Sequence, residues 1–111
     1  MDFINLTPHT INVQVGGINY PIPTAGDCRV TVKQVKNKVL KFHGEDIPVM
    51  TNEYGSVTGL PEPKEDTIYI VSLMALNALC GTRPDVIAPD SGLSAIRENG
   101  QIVAVRQFVK G

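Results

Sequence analysis

The residues best able to do chemistry in this chain gather in three breaks between apolar runs: Thr7-Pro8-His9, Arg83-Pro84-Asp85 and Ala88-Pro89-Asp90-Ser91-Gly92. A rigid scaffold holds loop residues in place while leaving them open to solvent, so such segments suggest a binding site. Arg83 and Asp85 could pair with each other or present a guanidinium fork to a phosphate or carboxylate. Asp90 could bond its own backbone two residues on. Alternatively it could accept a ribose hydroxyl pair, with Ser91 and the Gly92 amide facing an anion. His9 could act as a base or accept a ligand hydrogen bond, or it could simply pack beside the start of a strand. Tyr54 offers a stacking ring next to the open Gly55, or else a core aromatic that tethers a loop.

Several other constellations point away from chemistry. Ser72 lies between a strand and a helix, but Val71 and Leu73 lack the glycines of a nucleophile elbow, so it reads as a helix N-cap. His9 and His43 lie far apart with no cysteine pair, which disfavours a metal site. There is no Walker loop, and Gly16-Gly17 lacks the setting of a dinucleotide site. No cofactor is expected.

At 111 residues the chain makes one domain, residues 1–111, able to bury about two thirds of its unfolded surface. Apolar residues make up 42%, charged residues 19%, and the net charge is −1, so neither disorder nor a broad nucleic-acid-binding face is indicated. Cys28 and Cys80 lack C-x-x-C spacing and read as reduced thiols. The N-terminus has no basic region leading into an apolar stretch, and Ile68 to Cys80 is too short to cross a bilayer. A cytoplasmic protein without a membrane partner is expected.

The positioning elements follow from periodicity. Ile11, Val13 and Val15 alternate with polar residues, Gly16-Gly17 turns the chain, and Ile18–Ile22 returns along an edge that Pro21 and Pro23 permit. Cys28 to Lys33 predicts a third strand with a basic outer face, followed by a turn at Asn37 and further alternation through Leu40 and Phe42. Tyr54 to Asp66 is expected to be a long loop, rich in Gly, Pro and acid. Thr67–Val71 reads as a buried central strand, and Leu73–Cys80 as a helix buried on most faces and ended by Gly81. Ala95–Glu98, Asn99-Gly100 and Gln101–Val109 form a C-terminal hairpin that pairs Arg97 with Ile102 and sets Arg97 and Arg106 on one face. That face could bind an anion or simply be wet. The fold class expected is mainly β (α+β): a small, mostly antiparallel β domain with one short buried helix.

Particular strings also carry a resemblance. Ile4-Asn5-Leu6-Thr7-Pro8-His9, Tyr54-Gly55, Gly59-Leu60-Pro61, Tyr69-Ile70-Val71-Ser72, Arg83 through Asp90, and Arg97…Asn99-Gly100…Val105-Arg106 together resemble a group of small proteins of phages, prophages and bacterial genomes. The similarity spans nearly the whole chain and implies a phage-linked origin more strongly than an activity. Small phage proteins of this size include sponges that sequester the nucleotide signals of Thoeris and CBASS defence, which offers an analogy only.

Three functional classes follow. In the first, a small anionic or nucleotide-like ligand is bound without turnover by His9, Tyr54, Arg83, Asp85, Asp90, Ser91, Arg97 and Arg106, in a protein expected to form a homo-oligomer. In the second, exposed β edges make the chain an assembly or protein-binding component of a phage. In the third, His9 with Asp85 or Asp90 serves a small hydrolase as acid and base. Binding ranks above assembly, and catalysis third.

Overall fold

The β-branched and aromatic run Thr67-Ile68-Tyr69-Ile70 has the composition of a strand covered on both faces. In the computed structural model, which describes residues 1–111, it is β6 (Thr67–Ile70), at the centre of the molecule, with Tyr69 and Ile70 buried. β1 (Asp2–Asn5) and β7 (Val86–Pro89) lie parallel to it on either side, and β10 (Phe108–Lys110) runs antiparallel to β7, giving the order β1-β6-β7-β10. Val71, Val86 and Ala88 join Leu6 and Cys28 in the core around this sheet. Each fully buried aliphatic side chain there contributes about 1.5–3 kcal/mol.

The fold is mainly β with one short helix, as expected, but its centre is assembled from strands the periodicity did not reveal. β1 and β7 are only four residues long, and Pro89 closes the second, so neither is long enough to display an alternation. Both pair in parallel with β6, while the other four strand pairings are antiparallel, in keeping with the mostly antiparallel domain expected. The helix α1 (Leu73–Ala78) supplies the crossover from β6 to β7. Ser72 caps it, its Oγ accepting the Ala75 amide at 3.2 Å. Only Ala75 and Leu76 are buried, while Leu73 and Met74 are about half exposed, so the helix covers the core with one face rather than most of them. Gly81, with φ of +73°, ends the turn that follows.

Three antiparallel hairpins surround this centre. β2 (Ile11–Val15) and β3 (Ile18–Ile22) turn at Gly16-Gly17. β8 (Ile96–Glu98) and β9 (Gln101–Ala104) turn at Asn99-Gly100, with the expected Arg97↔Ile102 and Glu98↔Gln101 register. The second arm of that hairpin stops at Ala104 rather than running on to Val109. Val105 instead exchanges backbone hydrogen bonds with β2, to Asn12 and from Gln14, before the chain enters β10.

The third hairpin departs most from expectation. β4 (Arg29–Phe42) and β5 (Glu45–Thr58) are 14 residues each and meet at His43-Gly44, both with positive φ. Asn37 does not turn the chain; it is absorbed as an irregularity between the Lys36 and Lys38 pairings. Tyr54 through Thr58 lies in β5, so the connecting loop begins later than the Gly and Pro content suggests. A side chain at Gly55 would collide with the Thr31 hydroxyl across the ribbon, which explains a glycine inside a strand. The ribbon stretches the molecule to 54 × 36 × 19 Å, and the radius of gyration is 17.1 Å, against about 13 Å for a compact chain of this length. No helix is long and apolar enough to cross a membrane.

Candidate functional site

The polar residues of the three loops bond mainly within the chain. Asn5, fully buried, uses its whole side-chain amide: Nδ2 donates to the carbonyls of His9 and Ile22 at 2.8 and 2.9 Å, and Oδ1 accepts the Thr7 amide and hydroxyl at 2.9 and 2.6 Å. His9 thus contributes its carbonyl to this knot, while the residue itself is exposed and its ring makes no hydrogen bond to Asp85 or Asp90. Asn5 was not singled out from the sequence. A polar residue closing a strand before Thr-Pro was the available signal.

Arg83 grips Asp85 with two parallel hydrogen bonds, Nε to Oδ1 and Nη2 to Oδ2, both 2.9 Å, and Nη2 also donates to the Pro61 carbonyl at 2.9 Å. The two side chains are only 18% and 16% exposed. The guanidinium holds the Asp85 carboxyl below the usual carboxylate range, and the same pairing raises Arg83. This pair ties the loop before β6 to the start of β7.

Asp90 makes the turn onto its own backbone. Oδ1 accepts the Gly92 amide at 2.9 Å, while Oδ2 accepts Ser94 Oγ at 3.0 Å and Gln107 Nε2 at 2.6 Å. The Gly92 amide, then Gln107 and Ser94, lower the Asp90 carboxyl from its ordinary value. Arg97 reaches the same turn from β8, donating Nη1 to the Gly92 carbonyl at 2.9 Å and Nη2 to the Ser91 carbonyl at 2.5 Å. Asp90, Ser91 and Arg97 are therefore brought together in a bracket whose bonds run mostly to backbone, while Tyr54, Arg83 and Arg106, grouped with them from the sequence, make none of its hydrogen bonds. Tyr54 lies elsewhere, beside Thr31, Lys33 and Glu53 in a shallow cleft of about 320 Å³ at the base of the ribbon. No three His, Cys, Asp or Glu side chains gather to hold a metal ion.

Arg106 has a different setting. It is exposed and makes no side-chain hydrogen bond or ion pair within the chain. It lines a cleft of about 530 Å³ with Phe3 of β1, Val13 and Val15 of β2, Tyr20 of β3 and Phe108 of β10. Directly opposed residues of an antiparallel pair share a face. Val13 opposite Tyr20, Val15 opposite Ile18 and Ile11 opposite Ile22 therefore make one face of the β2–β3 hairpin wholly apolar. Val13 is buried, whereas Phe3, Val15 and Tyr20 are about half exposed, which leaves an open apolar wall with one unpaired cation at its margin. Arg97 does not line this cleft; the end of β9 at Ala104 separates the two arginines expected on one face. The alternation of residues 11–22 marked this apolar face, but not that Phe3 and Phe108 would meet it, since both arrive on short strands of another sheet.

No protein-family model, curated protein or solved structure matches this chain.

Proposed function

We propose that this chain is a non-catalytic binder of a small anionic molecule with a flat apolar body, a nucleotide-like ligand, held in the cleft between Phe3, Tyr20 and Phe108. The observation that carries this reading is the free guanidinium of Arg106 beside exposed aromatic rings. Arg83 and Arg97 already spend hydrogen bonds on Asp85, Pro61, Ser91 and Gly92, whereas Arg106 has all five N–H groups available. A planar fork suits phosphate or carboxylate, and ring faces suit a base or other flat group. The volume falls within the few hundred to a thousand cubic ångströms common for small-molecule sites.

Hydrolysis has less support, because the carboxylates of Asp85 and Asp90 are occupied and neither is bonded to the His9 ring. The resemblance to phage and prophage proteins makes a nucleotide-derived immune signal, of cyclic-nucleotide or ADP-ribose type, the first ligand class to test. Holding such a signal intact in the host cytoplasm would make the protein a sponge.

Native mass spectrometry of protein purified from signalling-active cells tests this reading, followed by titration of ADP-ribose and a cyclic dinucleotide into wild type and Arg106→Ala. The expected result is release of an unaltered nucleotide, with affinity about 10- to 100-fold weaker in the variant, as for a lost hydrogen bond to a charged group. A ligand returned cleaved, or wild-type protein that binds nothing, would overturn it.

A further inference from the structure

The β4–β5 ribbon has more apolar surface than an unaccompanied hairpin should expose. Val30 and Val57 at its base pack against the core, but from Lys33 to Glu53 every residue except Val35 and Val49 is exposed, and the side-chain bonds in that stretch stay within the ribbon. A two-stranded ribbon alone in water is marginally stable at best. Its irregularity at Asn37 has a specific effect. Val35 is odd-numbered while Leu40 and Phe42 are even-numbered, so in a regular strand they would face opposite sides. With Asn37 absorbed, Val35 opposes Thr51, Lys38 opposes Val49, Leu40 opposes Ile47 and Phe42 opposes Glu45, all on one face. The bulge collects Val35, Leu40, Phe42, Ile47 and Val49 into one apolar strip, with Phe42 61% exposed.

We propose that this ribbon is an intermolecular clasp that lies across the body of a second copy of the chain, each of two copies embracing the other. Charge favours that occupant. Residues 29–58 contain five Lys and Arg against three Asp and Glu, a net +2, which leaves −3 on the remainder of a chain whose total is −1. The exposed acid that follows the ribbon, Glu62 and Glu65, is the complementary landing surface for Lys33 and Lys38, which share the face of the apolar strip through their pairing with Glu53 and Val49. The stretch is held in place by Arg83 on the Pro61 carbonyl, by the Tyr69 hydroxyl on the Glu62 carbonyl, and by the Asp2 amide on the Asp66 carbonyl.

Area favours reciprocity. The ten residues from Lys33 to Phe42 give a strip roughly 35 Å long and about 12 Å wide, about 400 Å². Two ribbons stacked on each other would bury only about 800 Å² in total, the size of a packing contact, whereas two ribbon-on-body contacts bury about 1,600 Å², that of a stable interface.

Light scattering and sedimentation velocity on the full chain at tens of micromolar test the clasp. The wild type should be a dimer. Leu40→Ser/Phe42→Ser/Ile47→Ser should be a monomer whose core unfolds as in wild type, because those side chains touch nothing in the core. Lys33→Glu/Lys38→Glu should weaken the dimer at least about 10-fold, and adding Glu62→Lys/Glu65→Lys should restore it. A monomeric wild type would overturn the proposal, including one whose lysines take nucleic acid or a different protein instead. So would a dimer that survives the triple serine change, or a charge reversal without rescue. Arg106→Ala should leave the dimer intact, so the clasp and the ligand cleft fail or stand separately.

Discussion

Arg83 and Asp85 flank Pro84 and meet through two parallel hydrogen bonds of 2.9 Å, with a third from Arg83 to the Pro61 carbonyl. Proline fixes the backbone between them, so the fork closes with little conformational freedom left to lose. The pair joins the loop after the ribbon to the turn that leads into β7. It therefore belongs to the support of the central sheet rather than to the Arg106 cleft.

Removing the guanidinium should accordingly cost stability and leave ligand binding alone. Arg83→Ala is expected to destabilise by about 2–4 kcal/mol, since it strands a partly buried carboxylate and frees the Pro61 carbonyl. Urea unfolding reads the loss, and titration of a nucleotide into the same variant should give wild-type affinity.

The acid limb of stability should run through the same pair. Asp85 and Asp90 have folded-state pKa values below their unfolded ones, so the unfolded chain binds the extra protons as pH falls. Their contribution is present above the unfolded carboxyl value of about 3.9 and is lost as pH drops through the lower folded values. Cys28 behaves oppositely. Burial, then the Asp27 charge, raises its thiol, so its contribution is present below the unfolded thiol value of about 8.5 and is lost as pH climbs through the raised folded one. Denaturation midpoints measured against pH should show a plateau between these limits. Asp85→Asn should flatten the acid side and Cys28→Ala the alkaline side; unchanged slopes would contradict the assignment.

Asn5 should prove the most sensitive polar position. Asn5→Ala takes the side-chain partner from the Ile22 carbonyl and the Thr7 amide at a fully buried site and leaves the His9 carbonyl with the Thr7 hydroxyl alone, for a loss of about 2–3 kcal/mol. Thermal unfolding checks this, with His9→Ala as the control. Only the His9 carbonyl enters the knot, so that control should stay within about 0.5 kcal/mol of wild type.

Legibility in the sequence followed the range of the interactions. The β2–β3 and β8–β9 hairpins were readable because Gly16-Gly17 and Asn99-Gly100 dictate their turns locally. β6 and the Ser72 cap were readable for similar reasons, from composition and one hydroxyl. β1 and β7 were not, because four-residue strands gain their identity from pairing with β6 and not from their own pattern. The ribbon was misread where Asn37 reversed the parity of β4 and where Gly55 served a close approach across β5 rather than a turn. For the site, the turn of Asp90 onto the Gly92 amide is legible from Asp-Ser-Gly, whereas the reach of Arg97 to the Ser91 and Gly92 carbonyls depends on how β8 packs. The cleft was half visible: the hairpin alternation and Arg106 were in view, but the closure by Phe3 and Phe108 depends on two strands whose contacts are non-local.

The most direct measurement is a two-dimensional NMR titration of the isotope-labelled chain with ADP-ribose and with a cyclic dinucleotide. Saturable shifts confined to Phe3, residues 13–22 and residues 106–108, and needing about 10- to 100-fold more ligand in Arg106→Ala, are the predicted result. Shifts centred instead on Arg83–Asp85 or Asp90–Arg97, or none at saturating nucleotide, would contradict ligand binding in the Arg106 cleft.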